Sequence, residues 1–161
     1  MIRDATVEDG PTLARFMQIQ GKETEDLELV YEDVLLGTTN LLKRPQYGRY
    51  FVAYQESAPE TIMGMMMIHF ETSMEVGGLI WWINSVYVHP DHRRKGVFRT
   101  LYNHIMAIAR ADPFIKCVRL YVELTNTSAQ AVYSKMGMQN LDDAYEFHEI
   151  DYVWLESPKA K

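Results

Sequence analysis

Apolar positions along this chain follow two periods. Residues 1–6 read as a short edge strand. Leu13, Phe16, Met17 and Ile19 then recur at helical spacing, with Asp9 as a candidate cap and Pro11 as an early helical residue. Gly21 interrupts that stripe. A second helix is expected over residues 31–42, ending before Pro45. Three extended runs follow, at residues 50–55, 61–70 and 79–88, joined by a turn at 57–60 and a polar connection at 71–78. Met63, Met65, Met66 and Met67 read as flexible core filler. A helix over 94–111 would turn Val97, Leu101, Ile105 and Ala109 toward a sheet. A strand at 118–124, a helix at 127–135 stopped at Gly137, and strands at 138–141 and 145–154 complete the series.

This order fits one α/β domain over residues 1–156, with a loose tail at 157–161. The expected architecture is a mixed, mostly antiparallel central sheet with helices on both faces. Three strands on short connections form an antiparallel meander. The helix after them is long enough to return the chain to a parallel neighbour.

Composition narrows the class. The chain has 161 residues, 47% of them hydrophobic and 24% charged, which suits a packed domain and excludes global disorder. Its formal charge of −6 favours a cationic partner and opposes nucleic acid. No apolar run is long enough to span a membrane, and residues 1–5 lack signal-peptide character, so a cytoplasmic protein is expected. Cys117 is the only cysteine and reads as a small core residue. The five histidines show no metal-ligand spacing, so no metal is expected.

The charge is unevenly spread. Residues 22–33 carry one lysine against six carboxylates, Glu25, Asp26 and Glu28 among them, a local charge of −5. They form either a solvated loop or a rim that attracts an amine. Residues 89–99 carry Arg93, Arg94, Lys95 and Arg99 against Asp91, a local charge of +3. Here a strand feeds a short basic turn that opens a helix. The first turn of a helix leaves N–H groups unpaired at the positive end of its dipole. Cations sit badly there unless an anion joins them, and a phosphate accepts those N–H bonds. Gly96 lets the backbone come close. Neither the dinucleotide fingerprint nor a P-loop is present.

The segment resembles the acetyl-CoA motif of the GNAT superfamily of N-acetyltransferases, Gln/Arg-x-x-Gly-x-Gly/Ala. Arg93 fills its first position and Gly96 its fourth; Phe98 stands where the family has a small residue, and its ring can turn into the protein. A second region agrees: Asn126, Ala129, Tyr133 and Gly137 match Asn-x-x-Ala-x-x-x-Tyr followed by Gly. By itself this region shows only a helix capped by Asn126 or Thr127, with Thr127 and Gln130 as a capping box and Tyr133 plausible as packing.

The resemblance implies acetyl-CoA as co-substrate and direct attack in a ternary complex. It implies a cofactor set of Val86, Tyr87, Val88, Arg93, Arg94, Lys95, Gly96, Val97, Phe98, Arg99, Asn126, Ser128 and Tyr133. Free backbone groups of Val86 to Val88 would bond the pantetheine amides, and an N–H near Val88 would polarise the thioester carbonyl. The Tyr133 hydroxyl would protonate the leaving thiolate. Glu123 is the named candidate base; Glu71, Glu75 and a water chain stay open beside it. Glu25, Asp26 and Glu28 are expected on the acceptor side. His89 and His92 are expected to face solvent. A small cationic amine is the expected acceptor. A protein lysine or N-terminus, and a non-catalytic acyl-CoA-binding module, are the alternatives; a homodimer is left open.

Overall fold

The computed structural model describes residues 1–140, which fall into two units, Met1–Tyr121 and the segment beginning at Val122. In the first, β1 (Ile2–Asp4) leads to α1 (Gly10–Glu25) and α2 (Tyr31–Leu42). Then come β2 (Gly48–Gln55), β3 (Ala58–Ser73), β4 (Gly78–Val88), α3 (Val97–Ala111) and β5 (Ile115–Leu120). The second unit holds α4 (Thr127–Lys135). The strands stand in the order β1-β2-β3-β4-β5, antiparallel except for the β4–β5 pair, which α3 makes parallel by crossing over. Residues 138–140 form no strand, against the strand expected at 138–141; the strand expected at 145–154 and the tail at 157–161 lie outside the described residues. No helix of the described residues is long and apolar enough to cross a membrane.

Strand alternation sorts the core into two layers. Tyr50, Val52, Met65 and Tyr87 are cross-strand neighbours, and Leu13 and Phe16 of α1 pack on them. The Phe16 and Tyr87 rings lie 4.7 Å apart. Phe51, Met66 and Gly64 point the other way, where α3 covers them: the Phe51 and His104 rings are 5.7 Å apart, and a Cβ on Gly64 would meet Val97 Cγ1 at 3.2 Å. Helices therefore cover both faces. The clustered methionines divide between these layers; Met65 and Met66 are fully buried.

Several local readings need correction. Asp9 does not cap α1 with its side chain. Its carboxylate instead accepts from Arg3 Nη1 and Nη2 at 2.6 and 2.9 Å and from Thr6 N at 2.7 Å. Burial would raise the Asp9 pKa, but the Arg3 and Thr6 bonds outweigh it and hold the carboxyl below its ordinary value. Gly21 does not break α1. Its missing side chain makes room for Leu29, whose Cδ1 a Cβ would meet at 3.0 Å. The helix ends instead at Asp26, in the left-handed region at φ 53°.

The strand β3 reaches Ser73, because Glu71, Thr72 and Ser73 pair with Ile80, Leu79 and Gly78 despite their polarity. The strand expected at 118–124 begins earlier, at Ile115, where the ladder with Leu79 starts, and ends at Leu120. Cys117 within it is only partly buried.

Candidate active site

The last residues of β4 have one edge without a strand partner among the described residues. The ladder to β5 ends at Ile83 opposite Leu120. On the other side β4 stays paired with β3: His89 N donates to Met63 O at 2.9 Å, beside the Val88–Gly64 register. Bonding alternates along an antiparallel pair. Tyr87 therefore turns its backbone to β3, while Val86 and Val88 turn theirs to the side that β5 has left. Of the three strand residues expected to bond a ligand, two present backbone groups for it. Tyr87 instead contributes a side chain on the α1 face.

Beyond β4 the chain makes a 3-10 turn at Pro90–His92, in which His89 Nδ1 accepts from Asp91 N at 3.3 Å. Arg94 and Gly96 both take left-handed conformations, at φ 61° and 81°. Alternating handedness gathers successive N–H groups into an anion-sized concavity. It also moves the start of α3 from the expected Arg94 to Val97, so the basic residues precede the helix. The first closing bonds of α3 are Thr100 N and Oγ1 to Gly96 O, at 3.0 and 3.1 Å. The N–H groups of Arg94, Lys95, Gly96 and Val97 donate to no backbone acceptor among the described residues. A Cβ on Gly96 would meet no atom of the described residues within 4 Å.

Side chains around this turn divide into two groups. Arg94, Lys95 and Arg99 are exposed. Phe98 is half-buried, its ring 6.0 Å from that of Tyr102. Arg93 is held elsewhere: Nε donates to Val88 O at 2.9 Å and Nη2 to Glu23 Oε2 at 2.6 Å, with the guanidinium 5.6 Å from the Tyr87 ring centroid. The Tyr87 hydroxyl is buried without a hydrogen-bond partner among the described residues. Burial, then the Glu23 charge, pushes its pKa up.

Nothing in the sequence announced the Glu23–Arg93 bond, which joins residues 70 apart. The acidic segment is also partly neutralised from within, because Lys22 Nζ pairs with Asp26 at 2.8 Å and Glu28 at 2.7 Å. Glu25 is exposed and enters no salt bridge among the described residues.

In the second unit Asn126 is the cap of α4, its Oδ1 accepting from Ala129 N at 3.1 Å. The expected Thr127–Gln130 box is absent; Gln130 Nε2 donates back to Glu123 O and Leu124 O, at 2.9 and 3.0 Å. Glu123 is exposed, and its carboxylate accepts from Thr125 Oγ1 at 3.3 Å. Ser128 is exposed on the first turn of α4. Tyr133 is half-buried, and burial raises its pKa. Gly137 ends the helix at φ 84°. No group of three His, Cys, Asp or Glu among the described residues is arranged to hold a metal.

An open strand edge leading into a positive concavity suits an extended ligand with amides along its length and phosphate at one end. Comparison with known proteins agrees with that chemistry. The model of the acetyltransferase (GNAT) family matches residues 13–138. The fold is similar to a possible acetyltransferase from Clostridium difficile 630, with 36% identity, TM-score 0.85, and 94% of this chain and 98% of that one covered. It is similar to a probable acetyltransferase at 21% identity and TM-score 0.79, covering 94% and 97%. It is also similar to a ribosomal-protein-alanine N-acetyltransferase from Brucella melitensis biovar Abortus 2308 at 14% identity and TM-score 0.71, covering 92% and 98%. The last two likenesses concern the fold alone. No curated protein matches the sequence significantly.

Proposed function

The chain belongs to the acetyltransferase (GNAT) family, and from that premise we propose that it moves an acetyl group from acetyl-CoA to a primary amine, most suitably a small cationic one. The observation that carries this reading is the open backbone edge at Val86 and Val88 running into the concavity at residues 93–97. Acetyl-CoA supplies an activated acyl group when bound. Val86 and Val88 would bond its amides as a strand would. The free N–H groups of Lys95, Gly96 and Val97 would receive its phosphates, with Arg94, Lys95 and Arg99 adding charge.

Val86 N–H, the edge donor farther from the phosphate turn, is the one suited to the acyl oxygen, and the β-ladder fixes it before the reaction begins. Tyr133 would give its proton to the departing sulfur, a role that rests on the pattern Asn126, Ala129, Tyr133 and Gly137. Its raised pKa keeps the hydroxyl protonated at neutral pH. Asn126 uses Oδ1 in capping, which leaves its Nδ2 to donate to a ligand carbonyl.

The amine preference is supported by the net charge of −6 and by Glu25 among the acidic residues at the end of α1. Asp26 and Glu28 contribute less, because each already shares Lys22. Release of thiol from acetyl-CoA, measured with a panel of small amines and again with a lysine peptide, tests the reading. Turnover with the cationic amines supports it. Turnover with the peptide alone replaces the acceptor, and no turnover with any acceptor despite acetyl-CoA binding leaves a binding module.

A further inference from the structure

A group of side chains outside the expected set stands where β4 parts from β5. In the β3–β4 ladder Met67 pairs with Ser85 and Ile68 with Ile83, so Asn84 is an extra, bulged residue. Asn84 is also the first β4 residue beyond the last β5 pair, Ile83 with Leu120. The open edge therefore runs from Asn84 to Val88, about 13 Å at ~3.3 Å per residue. The phosphate concavity lies beyond its Val88 end. A ligand laid along the edge with phosphate at the turn brings its far end, the acyl end, to Asn84.

The group waiting there is an imidazole. His69 Nδ1 lies 3.3 Å from Asn84 Nδ2. Its ring is nearly parallel to that of Trp82, 6.1 Å away at 8°. Trp82 is fixed in turn: its indole N–H donates to Glu71 Oε2, and Tyr121 stacks on it at 4.6 Å. His69 is half-buried and shares the α1 face of the sheet with Met65 and Met67.

We infer that His69 is the base of the proposed transfer, taking the proton that an ammonium acceptor must lose beside Asn84. The inference rests on the reading of the protein as an acetyl-CoA-dependent amine acetyltransferase. An amide beside Nδ1 sets the tautomer. A half-turn of the Asn84 amide puts Oδ1 there to accept the Nδ1 proton, leaving the lone pair on Nε2. The proton balance is then complete. Of three ammonium protons, one leaves through His69 to solvent, one ends on sulfur, and one stays on the amide nitrogen. The N–C bond forms as the C–S bond breaks.

The charged side chains of this strand patch are Glu71 on β3 and Arg119 on β5, of opposite sign, with Arg119 lying 5.6 Å from the Trp82 ring. The partner of His69 on β2 is Gly48. Asn84 is a positioning residue here, and Glu71 positions Trp82.

The test uses histidine side-chain NMR on the intact protein, with CoA and acetyl-CoA as probes. His89 and His92 flank the phosphate turn, so both ligands should shift them. His69, assigned by through-bond correlation, should respond differently to acetyl-CoA and CoA. Shifts at His89 and His92 with identical His69 spectra for the two ligands would overturn the inference and leave the binding site standing. Silence at all of them would remove the acetyl-CoA site and the inference together. With a competent amine, His69→Gln should lower kcat at pH 7 by 10-fold or more while keeping the KM for acetyl-CoA, and should remove the acid-side limb of the pH–rate profile. Asn84→Ala should move that limb without abolishing it. An unchanged pH profile in His69→Gln would contradict the assignment.

Discussion

Arg93 donates to Glu23 at 2.6 Å, so the first residue of the basic turn is tied to the last turns of α1. Its Nε is bonded to Val88 O, one of the strand groups facing the open edge. Arg93 thus acts on the site through Val88 and α1, whereas its neighbours Arg94 and Lys95 present their charge to solvent. The pair is about 40% exposed on each side, and exposed pairs contribute little to stability, about 0.2–1 kcal/mol.

Glu23→Gln should therefore change the melting temperature only slightly. It should strengthen acetyl-CoA binding, because a negative charge near the phosphate turn is removed and Arg93 is released. Calorimetric titration at two salt concentrations checks this; the gain should be larger at low salt. Weaker binding in the variant would show that the Glu23–Arg93 bond is needed to shape the site.

Gly96 carries the backbone demand of the turn. At φ 81° a side chain costs about 1–2 kcal/mol, although no atom of the described residues crowds the position. Gly96→Val should lose both stability and acetyl-CoA affinity. Gly96→Asn separates the two effects, since asparagine tolerates this conformation. It should keep most of the stability and still bind weakly, because its side chain fills that space. Affinity equal to wild type in Gly96→Asn would move the phosphates elsewhere.

Tyr133→Phe should leave acetyl-CoA affinity nearly unchanged and lower the single-turnover rate severalfold or more. The raised pKa of the Tyr133 hydroxyl means that its ionisation should impose no falling limb on the rate below about pH 10. An unaltered chemical step would assign Tyr133 to packing and the sulfur proton to another donor.

Asp9 links stability to pH. Its folded pKa lies below the ordinary value. The stabilisation is present in full above the unfolded value, near ~3.9, and is lost as pH falls through the folded one. Asp9→Asn should cost about 1.5–3 kcal/mol at neutral pH, the range for hydrogen bonds to charged groups. Thermal melts of both proteins should converge as the pH falls below 4. A gap that persists at acid pH would trace the loss to something other than charge.

Periodicity carried much of the fold, because α3 buries one stripe, Val97, Leu101, Ile105 and Ala109, and the meander strands read as apolar runs buried on both faces. It failed where tertiary contact overrode a local signal. Gly21 reads as a breaker until Leu29 packs over it. Residues 71–73 read as a loop until they find β4. The basic turn was legible as a concentration of charge because its residues are contiguous. Its two left-handed residues were not, since an arginine at φ 61° has no sequence signature. Contacts between distant residues were the least legible. Glu23 meets Arg93 and His69 meets Asn84 only through the register of the sheet and the end of α1. A bulge at Asn84 decides the second of these, and a bulge leaves no mark on the apolar pattern.

The central claim is that acetyl-CoA lies along the free edge of β4 with its phosphates at the turn before α3. Backbone amide NMR during titration with acetyl-CoA tests it most directly, because the ladder distinguishes adjacent residues. The amides of Val86, Val88, Gly96 and Val97 should shift strongly, while that of Tyr87, bonded to β3, should move far less. Equal shifts at Tyr87 and Val88, or no shifts at Gly96 and Val97 under saturating ligand, would contradict the account.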